Sequence, residues 1–390
     1  MRDIGFDVGL LAPPDCLLAQ SSYIDYRFPL SIARTRLGFL APIIRVIADF
    51  TPRLVIPCDD PSVQLLQHLS IAHEGARAPG GQLAVPVPAA VREALLRSLG
   101  DSRSYATRNS RTRARAAAAS LGIAVPVGAP VPYLQAAESF AEQHRFPVVL
   151  KREHRGPGSN VRICGSAAEL RIAYAELADN PDPTAGLMNR ARWLACSVLS
   201  RFHMAGDLCR PAQEGPALII EAFVAGRRAS YALSAFSGRL LAGIAAIAQH
   251  TWPEAAGTPS LVRILPDAVM AEAARRLVGR FGFTGFGAVD FLRDDGGKLW
   301  FSKFDPRPSP LCHLGQLAGG DLCTPLMAAV SGATPVPQRQ AKPTTVALFP
   351  QDWMRDPEAA DRGAEHLDIP EDDPRLQSAL RARISRRVAA

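Results

Sequence analysis

Residues 285–305 constrain the fold of this chain more than any other stretch. Gly285–Leu292 and Leu299–Phe304 are apolar runs of strand length, rich in aromatic and aliphatic residues. Between them, Arg293-Asp-Asp-Gly-Gly297 has the composition of a tight connection. Two such runs joined by a glycine-containing loop predict an antiparallel hairpin in this part of the chain.

Charged side chains are predicted to share one face of that hairpin. Asp290 lies on the first strand, and Lys303 and Asp305 lie two residues apart on the second. Residues two apart on a strand share a side, so these three side chains can point the same way. Arg307 follows between two prolines, which fix its backbone; this suits either a positioned functional side chain or a structural turn.

Lysine is informative here because the chain contains four lysines but forty arginines. Lys151 ends Phe146–Leu150, a short apolar run that predicts a buried strand. The loop after it carries Gly156, Gly158 and Ser159, and a second strand follows. Such a loop can fold backbone NH groups over phosphates with the lysine beneath them. The alternative is an ordinary turn with a surface lysine.

The other predicted elements alternate between strands and helices. In the N-terminal third, Arg53–Pro57 is predicted as a strand, Cys58-Asp59-Asp60 as the loop at its carboxyl end, and Ser62–Leu69 as a helix, which is a doubly wound pattern. Further along come the strands Ala217–Val224, Ser230–Phe236 and Arg239–Ala248, the helix Asp267–Phe281, the strand Thr344–Leu348 and the helix Pro374–Val388.

Length and composition fit a soluble protein of two or three lobes with a large core, since 47% of its 390 residues are hydrophobic. No apolar run reaches the ~18 residues of a membrane span, and the first residues lack the pattern of a secretory signal. These features predict a cytoplasmic protein, and the arginine richness suggests a bacterial source with a GC-rich genome.

Charge and cysteine content exclude some classes of partner. The formal charge is +7, but the basic residues are spread among acids and small residues without interleaved aromatic side chains. We therefore expect neither nucleic acid nor a membrane as a partner. The seven cysteines are scattered without a Cys-x-x-Cys motif, which fits reduced thiols and no zinc site.

The first residues suggest a missing element. Asp3–Val8 is predicted as the end of a first helix that leads into a strand at Gly9–Ala12. The opening strand of a doubly wound domain would then be absent from the chain. Either the true start lies upstream of Met1 or the domain is naturally trimmed; extra upstream residues in the native N-terminal sequence would support the first explanation.

Several motifs, in order and at compatible spacing, resemble those of the ATP-grasp superfamily of carboxylate-amine ligases. Ser120–Pro126 resembles the family's Gly-Ile-x-Val-Pro segment, Phe146–Lys151 its Phe-Pro-Val-Val-Leu-Lys strand, and Asp290–Arg307 its metal-binding hairpin. The resemblance implies an α/β and α+β fold, in which an N-terminal doubly wound pre-ATP-grasp domain without its first strand precedes a two-lobed ATP-grasp domain. The implied boundaries are 1–100 for the first domain, 101–215 for the small lobe, 216–333 for the large lobe and 334–390 for a C-terminal strand and basic tail.

The same resemblance implies roles for individual residues. Arg111 and Lys151 would reach ATP phosphates, although Arg111 also fits an exposed residue of an arginine-rich helix. Asp290 and Asp305 would hold Mg²⁺, and Arg307 would act on the transferred phosphate or the substrate carboxylate. Lys303, as a catalytic candidate, would neutralise phosphate charge directly and so take over part of the work of one metal. His313 is a substrate-side candidate with a structural alternative. The other implied nucleotide-binding residues are Gly156, Gly158 and Ser159 in the phosphate-covering flap and Glu221, Ala222, Phe223 and Val224 in the adenine hinge.

Two positions depart from the family pattern. Lys303 stands where the family has its metal-bridging Glu, and Arg228 stands where many members place a Glu that holds the ribose. Three arrangements stay open at the hairpin: weakened binding of one metal, a metal-free ion pair of Lys303 with Asp290 and Asp305, or ordinary two-metal chemistry. An ammonium a few Å from a unit positive charge is repelled by ~1 to 4 kcal/mol at effective dielectric constants of 80 to 20.

The resemblance implies a function with one rival. An ATP-grasp ligase joins a carboxylate to an amine or similar nucleophile through an acyl phosphate, with ATP and Mg²⁺ as cofactors and, for this chain, unknown small-molecule substrates and a possible homodimer. The rival is a degenerate ATP-grasp protein without ligase activity, which serves as a nucleotide-binding, partner or regulatory subunit. The residues that form the acceptor pocket follow no general code, so the sequence identifies neither substrate.

Overall fold

The computed structural model describes most of the chain, namely residues 4–30, 36–72, 86–153, 161–179, 218–252, 257–333, 342–359 and 362–388. The described strands form a two-stranded, a four-stranded and a seven-stranded sheet. Helices pack on these sheets, so the predicted mixture of α/β and α+β structure is confirmed. The domain boundaries expected from the sequence stay predictions.

The N-terminal region combines a small parallel sheet with helices. Its elements are β1 (Gly9–Ala12), β2 (Tyr26–Pro29), α1 (Arg36–Phe50), α2 (Asp60–Ile71) and α3 (Ala89–Leu99). The three helices share a core that includes Leu40, Leu66 and Leu95. Helix α2 begins at Asp60, two residues before the predicted start at Ser62, and the Asp59 carboxylate caps it by accepting a hydrogen bond of 2.8 Å from the Ser62 amide.

The predicted strand at Arg53–Pro57 was wrong. The segment 53–57 has no regular structure and belongs to none of the described sheets; its Val55 amide instead donates to Ser98 Oγ at 2.9 Å. A side-chain hydroxyl thus satisfies a backbone donor that was expected in a strand ladder. Of the predicted helix end at Asp3–Val8, Asp3 lies outside the described residues, Ile4 has 3₁₀-helical backbone, and Gly5 has φ of 86°; the described residues 4–8 contain no α-helix.

The middle of the chain contains an antiparallel sheet with strand order β3-β6-β4-β5. One face of that sheet packs against helices through a core that includes Phe140, Leu150 and Ile220. The elements here are α4 (Tyr105–Asn109), α5 (Arg111–Ser120), β3 (Gly128–Val131), α6 (Leu134–His144), β4 (Val148–Arg152), β5 (Val161–Cys164), α7 (Ala167–Asp179) and β6 (Leu218–Ala222).

The large sheet has the strand order β11-β10-β7-β8-β9-β12-β13 and is antiparallel except for its last pair. The two predicted hairpins, β7–β8 and β10–β11, are confirmed. Ser237 and Gly238 form the turn of the β7–β8 hairpin. Their φ angles are 49° and 77°, and a two-residue hairpin turn of type I′ requires positive φ at both positions. The elements are β7 (Arg227–Phe236), β8 (Arg239–Trp252), β9 (Thr258–Leu265), α8 (Ala268–Phe281), β10 (Gly285–Arg293), β11 (Leu299–Asp305), α9 (Gly315–Ala318), α10 (Cys323–Ser331), β12 (Thr344–Leu348), α11 (Gln351–Arg355), β13 (His366–Asp368) and α12 (Pro374–Val388).

Both faces of the large sheet are covered. Helix α8 begins after Asp267, whose carboxylate accepts from the Met270 amide at 2.9 Å, and it ends at Gly282 in the left-handed conformation. Its buried side chains, such as Leu277 and Phe281, pack on one face. Helix α10 covers the other face through residues such as Leu326. This packing fixes the strands that carry the predicted site.

The predicted C-terminal strand and helix are confirmed as β12 and α12. The start of α12 contacts the N-terminal region, where Asp373 accepts a hydrogen bond of 2.6 Å from Ser21 Oγ. Among the residues that the structure describes, no helix is long and apolar enough to cross a membrane.

Candidate functional site

Lys151 and Glu221 meet on neighbouring strands of the four-stranded sheet. In the β4–β6 register Lys151 lies opposite Ile219 and Val149 lies opposite Glu221, so the two charged residues are diagonal neighbours on one face. Lys151 Nζ lies 2.5 Å from Glu221 Oε2. Both residues are buried, with exposed fractions of 7% and 3%. The structure therefore brings together two predicted nucleotide-binding residues that stand seventy positions apart in the chain.

Arg115 completes this pair and was missed from the sequence. Its guanidinium contacts the other Glu221 oxygen through Nη1, while Nη2 donates to the Pro126 carbonyl at 2.5 Å. Arg111, whose predicted contact with ATP phosphates stays a prediction, lies one helical turn earlier on α5. Burial is the main cause that lowers the pKa of Lys151, and the charge of Arg111 adds to that effect. The i, i+4 spacing on one helix face was the available signal for Arg115.

Electrostatics in this buried cluster favour an ionised Glu221. Burial alone would raise the pKa of Glu221, but the charges of Lys151 and Arg115 outweigh it and hold that pKa below its ordinary value. Burial lowers the pKa of Lys151, and the attraction of Glu221 opposes this only in part. One carboxylate is therefore shared by the cations Lys151 and Arg115.

Glu153 is a second buried carboxylate that sequence reasoning missed. It contacts Ser110 Oγ and accepts hydrogen bonds from Thr112, at 2.8 Å from the hydroxyl and 3.2 Å from the amide. These groups lie at the start of α5, where the helix dipole favours a negative charge. Glu153 thus ties the end of β4 to the N-terminus of α5.

The predicted adenine hinge is partly occupied by the protein's own hydrogen bonds. The Ala222 amide donates to the Val127 carbonyl at 2.9 Å, and the Phe223 amide donates to the Pro147 carbonyl at 3.4 Å. Among the described residues, no backbone carbonyl accepts a hydrogen bond from the Val224 amide. The Phe223 side chain is 38% exposed. Of the predicted hinge groups, the Val224 amide is therefore the candidate donor to the edge of a bound adenine ring, and the Phe223 side chain is the candidate apolar contact with that ring.

The remaining nucleotide-binding predictions concern Gly156, Gly158 and Ser159. These three residues lie outside the residues that the structure describes, so their role as a phosphate-covering flap stays a prediction.

On the large sheet, Asp290, Lys303 and Asp305 come together on one face, as the hairpin predicted. Asp290 lies directly opposite Lys303 in the β10–β11 register. Lys303 Nζ lies 3.2 Å from Asp290 Oδ2 and 3.2 Å from Asp305 Oδ2. Ser230, opposite Asp290 on β7, donates a hydrogen bond of 2.7 Å to Asp290 Oδ1. The ammonium therefore bridges the two carboxylates that were predicted as metal ligands.

Arg307 connects this cluster to the N-terminal region. Its Nε lies 2.9 Å from Asp60 Oδ1, at the start of α2, and 3.4 Å from Asp305 Oδ1. Burial would lower the pKa of Arg307, but Asp305 and Asp60 outweigh it and raise that pKa, so the guanidinium is fully charged. The contact with Asp60 was not predicted, since the two residues are separated by most of the chain.

Arg228 and His313 lie at the margins of the cluster. Burial lowers the pKa of Arg228, and the nearby charge of Asp290 opposes this effect. Arg228 is two residues from Ser230 on β7 and therefore points to the same side of the sheet. His313 Nε2 lies 2.6 Å from Asp368 Oδ1 of β13. This partner favours the structural alternative for His313.

Helix α5 joins the two clusters. It carries Arg115, which contacts Glu221, and Arg111, whose charge acts on Lys151, and it also packs against β11, which carries Lys303. Just beyond the helix, the Ala124 carbonyl accepts a hydrogen bond of 2.8 Å from the Phe301 amide of β11. The cationic cluster of the small sheet and the Asp–Lys–Asp cluster of the large sheet therefore border the same helix.

An open cavity of about 590 Å³ lies elsewhere, between strands β8, β9 and β12 and the segment 355–363. Gln249, His250, Arg263 and Arg355 are among its lining residues, and none of the predicted site residues lines it. This cavity and the buried charged cluster therefore lie in different places. We assign the site to the charged cluster, because two buried cations there, Lys151 and Arg115, share the single carboxylate of Glu221.

A divalent metal does not fit the hairpin cluster as it is built. Mg²⁺ requires several hard oxygen ligands, and an ammonium cannot serve as one. Among the described residues, no group of three or more His, Cys, Asp or Glu side chains is arranged to hold a metal ion. Lys303 lies between the two carboxylates, so a metal bound to both would have to displace it.

No protein-family model and no curated protein matches the chain. Several solved structures, however, match the chain. The biotin carboxylase domain of 2-oxoglutarate carboxylase from Hydrogenobacter thermophilus, solved as a dimer with MgADP, ADP and bicarbonate, is 12% identical with a TM-score of 0.59, over 88% of this chain and 69% of that chain. Biotin carboxylase from Campylobacter jejuni has the same TM-score and coverage at 15% identity. N5-carboxyaminoimidazole ribonucleotide synthetase from Thermus thermophilus is 15% identical with a TM-score of 0.55, over 88% and 77%. At such low identity these likenesses show a shared fold.

Proposed function

We propose that this chain, which has the ATP-grasp fold, binds ATP between its four-stranded and seven-stranded sheets and uses it to join a carboxylate to an amine or similar nucleophile. The observation that carries the proposal is the buried cluster in which Lys151 and Arg115 both contact Glu221, with Arg111 close enough to act on the pKa of Lys151. Two cations that share one buried carboxylate leave positive charge that a polyphosphate would neutralise.

The proposed placement of ATP follows from the chain's own groups. The adenine edge would accept a hydrogen bond from the Val224 amide, with Phe223 against the ring. The triphosphate would extend past Lys151 and Arg111 toward the hairpin. Arg307 would then lie near the terminal phosphate or the acid that attacks it.

The proposed reaction is acyl phosphate chemistry. A carboxylate oxygen of the substrate attacks the γ-phosphorus, and the bond to the bridging oxygen breaks to release ADP. The amine then attacks the acyl carbon, phosphate leaves and the nitrogen loses a proton. Arg307 would stabilise negative charge on the transferred phosphoryl group. As in the H. thermophilus domain dimer, a homodimer is the proposed assembly, which light scattering on the purified protein would test.

Calorimetry tests nucleotide binding. We expect ATP to bind the full-length protein, and Lys151→Met to weaken binding by ~10-fold or more, because a hydrogen bond to a charged group contributes ~1.5–3 kcal/mol. The matched control is Lys298→Met. Lys298 is an exposed lysine whose ammonium lies 3.9 Å from the Trp300 ring centroid, and it carries none of the proposed roles. No heat from ATP, with or without Mg²⁺, would refute the proposal.

Phosphate release tests the ligase step separately. We expect ATP-dependent release of phosphate when pools of carboxylic acids and amines are supplied together, and little release with either pool alone. The second candidate function is nucleotide binding without ligation, in a partner or regulatory subunit. The positions of Lys303 between two carboxylates and of Arg307 against Asp60 favour this alternative, because both predicted catalytic cations are held by protein groups. ATP binding without phosphate release from any pool would support it.

A further inference from the structure

Lys303 occupies a fixed position at the centre of the hairpin cluster. Its Nζ lies the same distance, 3.2 Å, from one oxygen of Asp290 and one of Asp305. Lys303 extends from within strand β11 and directly faces Asp290 across the β10–β11 pair. Its side chain is 29% exposed, so the ammonium is partly withdrawn from water. The strand register thus holds a single positive charge midway between the two carboxylates.

Each of the four carboxylate oxygens faces a donor of the protein. Asp290 Oδ1 accepts from Ser230 Oγ at 2.7 Å, and Asp290 Oδ2 faces Lys303. Asp305 Oδ2 faces Lys303, and Asp305 Oδ1 faces Arg307 Nε at 3.4 Å. A metal ion that used these oxygens would have to replace hydrogen-bonded or ion-paired contacts at every one of them, and would meet an ammonium in the same space.

We propose that the Lys303 ammonium is the resident cation of this site, and that it takes the place of a divalent metal between Asp290 and Asp305 so that nucleotide binds without one. The inference rests on the proposed nucleotide binding and adds that this binding is independent of Mg²⁺. An ammonium neutralises phosphate charge as a lysine clamp does in other phosphate sites. It supplies one fixed charge that no chelator can remove.

The first experiment is ATP calorimetry on the full-length protein in EDTA and in excess Mg²⁺. We expect the two Kd values to agree within about twofold. Lys303→Gln should raise the Kd in EDTA by about tenfold or more, since it removes a charge-assisted contact, and Mg²⁺ should then restore part of the affinity. Lys298→Gln is the matched control and should leave both values unchanged. Binding by the wild type that strengthens tenfold or more with Mg²⁺ would overturn the inference.

The second experiment separates this inference from the proposed function. Mn²⁺ alone is titrated into the wild type and into Lys303→Glu, and bound metal is followed by electron paramagnetic resonance. We expect the glutamate variant to bind Mn²⁺ at least about tenfold more tightly, because it restores a third carboxylate and removes the repelling charge. If ATP fails to bind in any buffer, the proposed function falls and the Mn²⁺ result still decides the identity of the cation. Equal Mn²⁺ affinity in both proteins would overturn the inference.

Discussion

Replacing Glu221 with glutamine should destabilise this protein more than any other conservative change in the site. The substitution keeps the side-chain shape but removes the negative charge between Lys151 and Arg115. Glu221 is 3% exposed and Lys151 is 7% exposed, and Arg115 is buried as well. Lys151 and Arg115 would therefore stay buried without their counter-charge. Removal of one partner from a buried ion pair costs about 3–5 kcal/mol. Because a domain is typically stable by only about 5–15 kcal/mol, this is a large part of the total.

Urea unfolding followed by circular dichroism measures the loss, with Glu272→Gln as the matched control. Glu272 also contacts two arginines, Arg275 and Arg276, but on an exposed helix face. We expect no measurable change from the control, since exposed ion pairs contribute little. The double variant Lys151→Met/Glu221→Gln should be more stable than Glu221→Gln by about 1–3 kcal/mol, because it removes a buried charge that has lost its partner.

The pH dependence supplies an independent check. The folded-state pKa of Glu221 is lowered, so its contribution to stability is present above the ordinary carboxyl pKa of ~4.3 and is lost as the pH falls through the folded-state value. The stability difference between wild type and Glu221→Gln should therefore shrink in acid below about pH 4. A difference below about 1 kcal/mol at neutral pH would refute the reasoning, because it would mean that water screens the pair.

Two further predictions concern residues outside the charged clusters. The pKa of His313 is raised, because Asp368 outweighs the opposing effect of burial; the stability that His313 adds should be fully present below ~6.5 and lost as the pH rises through its folded-state pKa. Between about pH 5.5 and about pH 8.5, the urea midpoint of the wild type should therefore fall further than that of His313→Gln. Midpoints that change in parallel with pH in the two proteins would contradict the contact between His313 and Asp368. Gly243→Ala should destabilise by about 1–3 kcal/mol, because the added methyl would collide with the Tyr231 ring. Gly165→Ala, where the nearest atom is a Glu169 carboxylate oxygen at 3.6 Å, should change stability by less than about 0.5 kcal/mol, and equal effects of the two substitutions would contradict this packing.

Local patterns predicted the hairpins and the residues that share their faces. Asp290, Lys303 and Asp305 were expected together because alternation along a strand and a short connection fix which side chains become neighbours. The same logic placed Lys151 at the end of a buried strand. The caps of α2 and α8 follow from single aspartates that precede each helix.

Sequence patterns did not identify the partners that depend on packing between distant segments. Arg53–Pro57 has the composition of a strand, but whether it joins a ladder depends on a neighbour, and the Ser98 hydroxyl takes that place. Arg115 and Arg111 are equivalent in the sequence, and only the crossing of α5 over the sheet decides which of them reaches Glu221. Packing likewise decided which hinge amides already donate to a carbonyl of the protein: those of Ala222 and Phe223, which donate to Val127 and Pro147.

The sequence by itself determined the two hairpins and which charged residues share their strand faces, because both follow from the fixed geometry of the backbone over a few residues. Only the tertiary structure decided the partner of each charge. Arg307 contacts Asp60, Glu221 contacts Arg115, and Lys303 lies between Asp290 and Asp305, each of whose carboxylate oxygens faces a donor of the protein. These pairings join residues up to 247 positions apart, and no local pattern encodes such a distance.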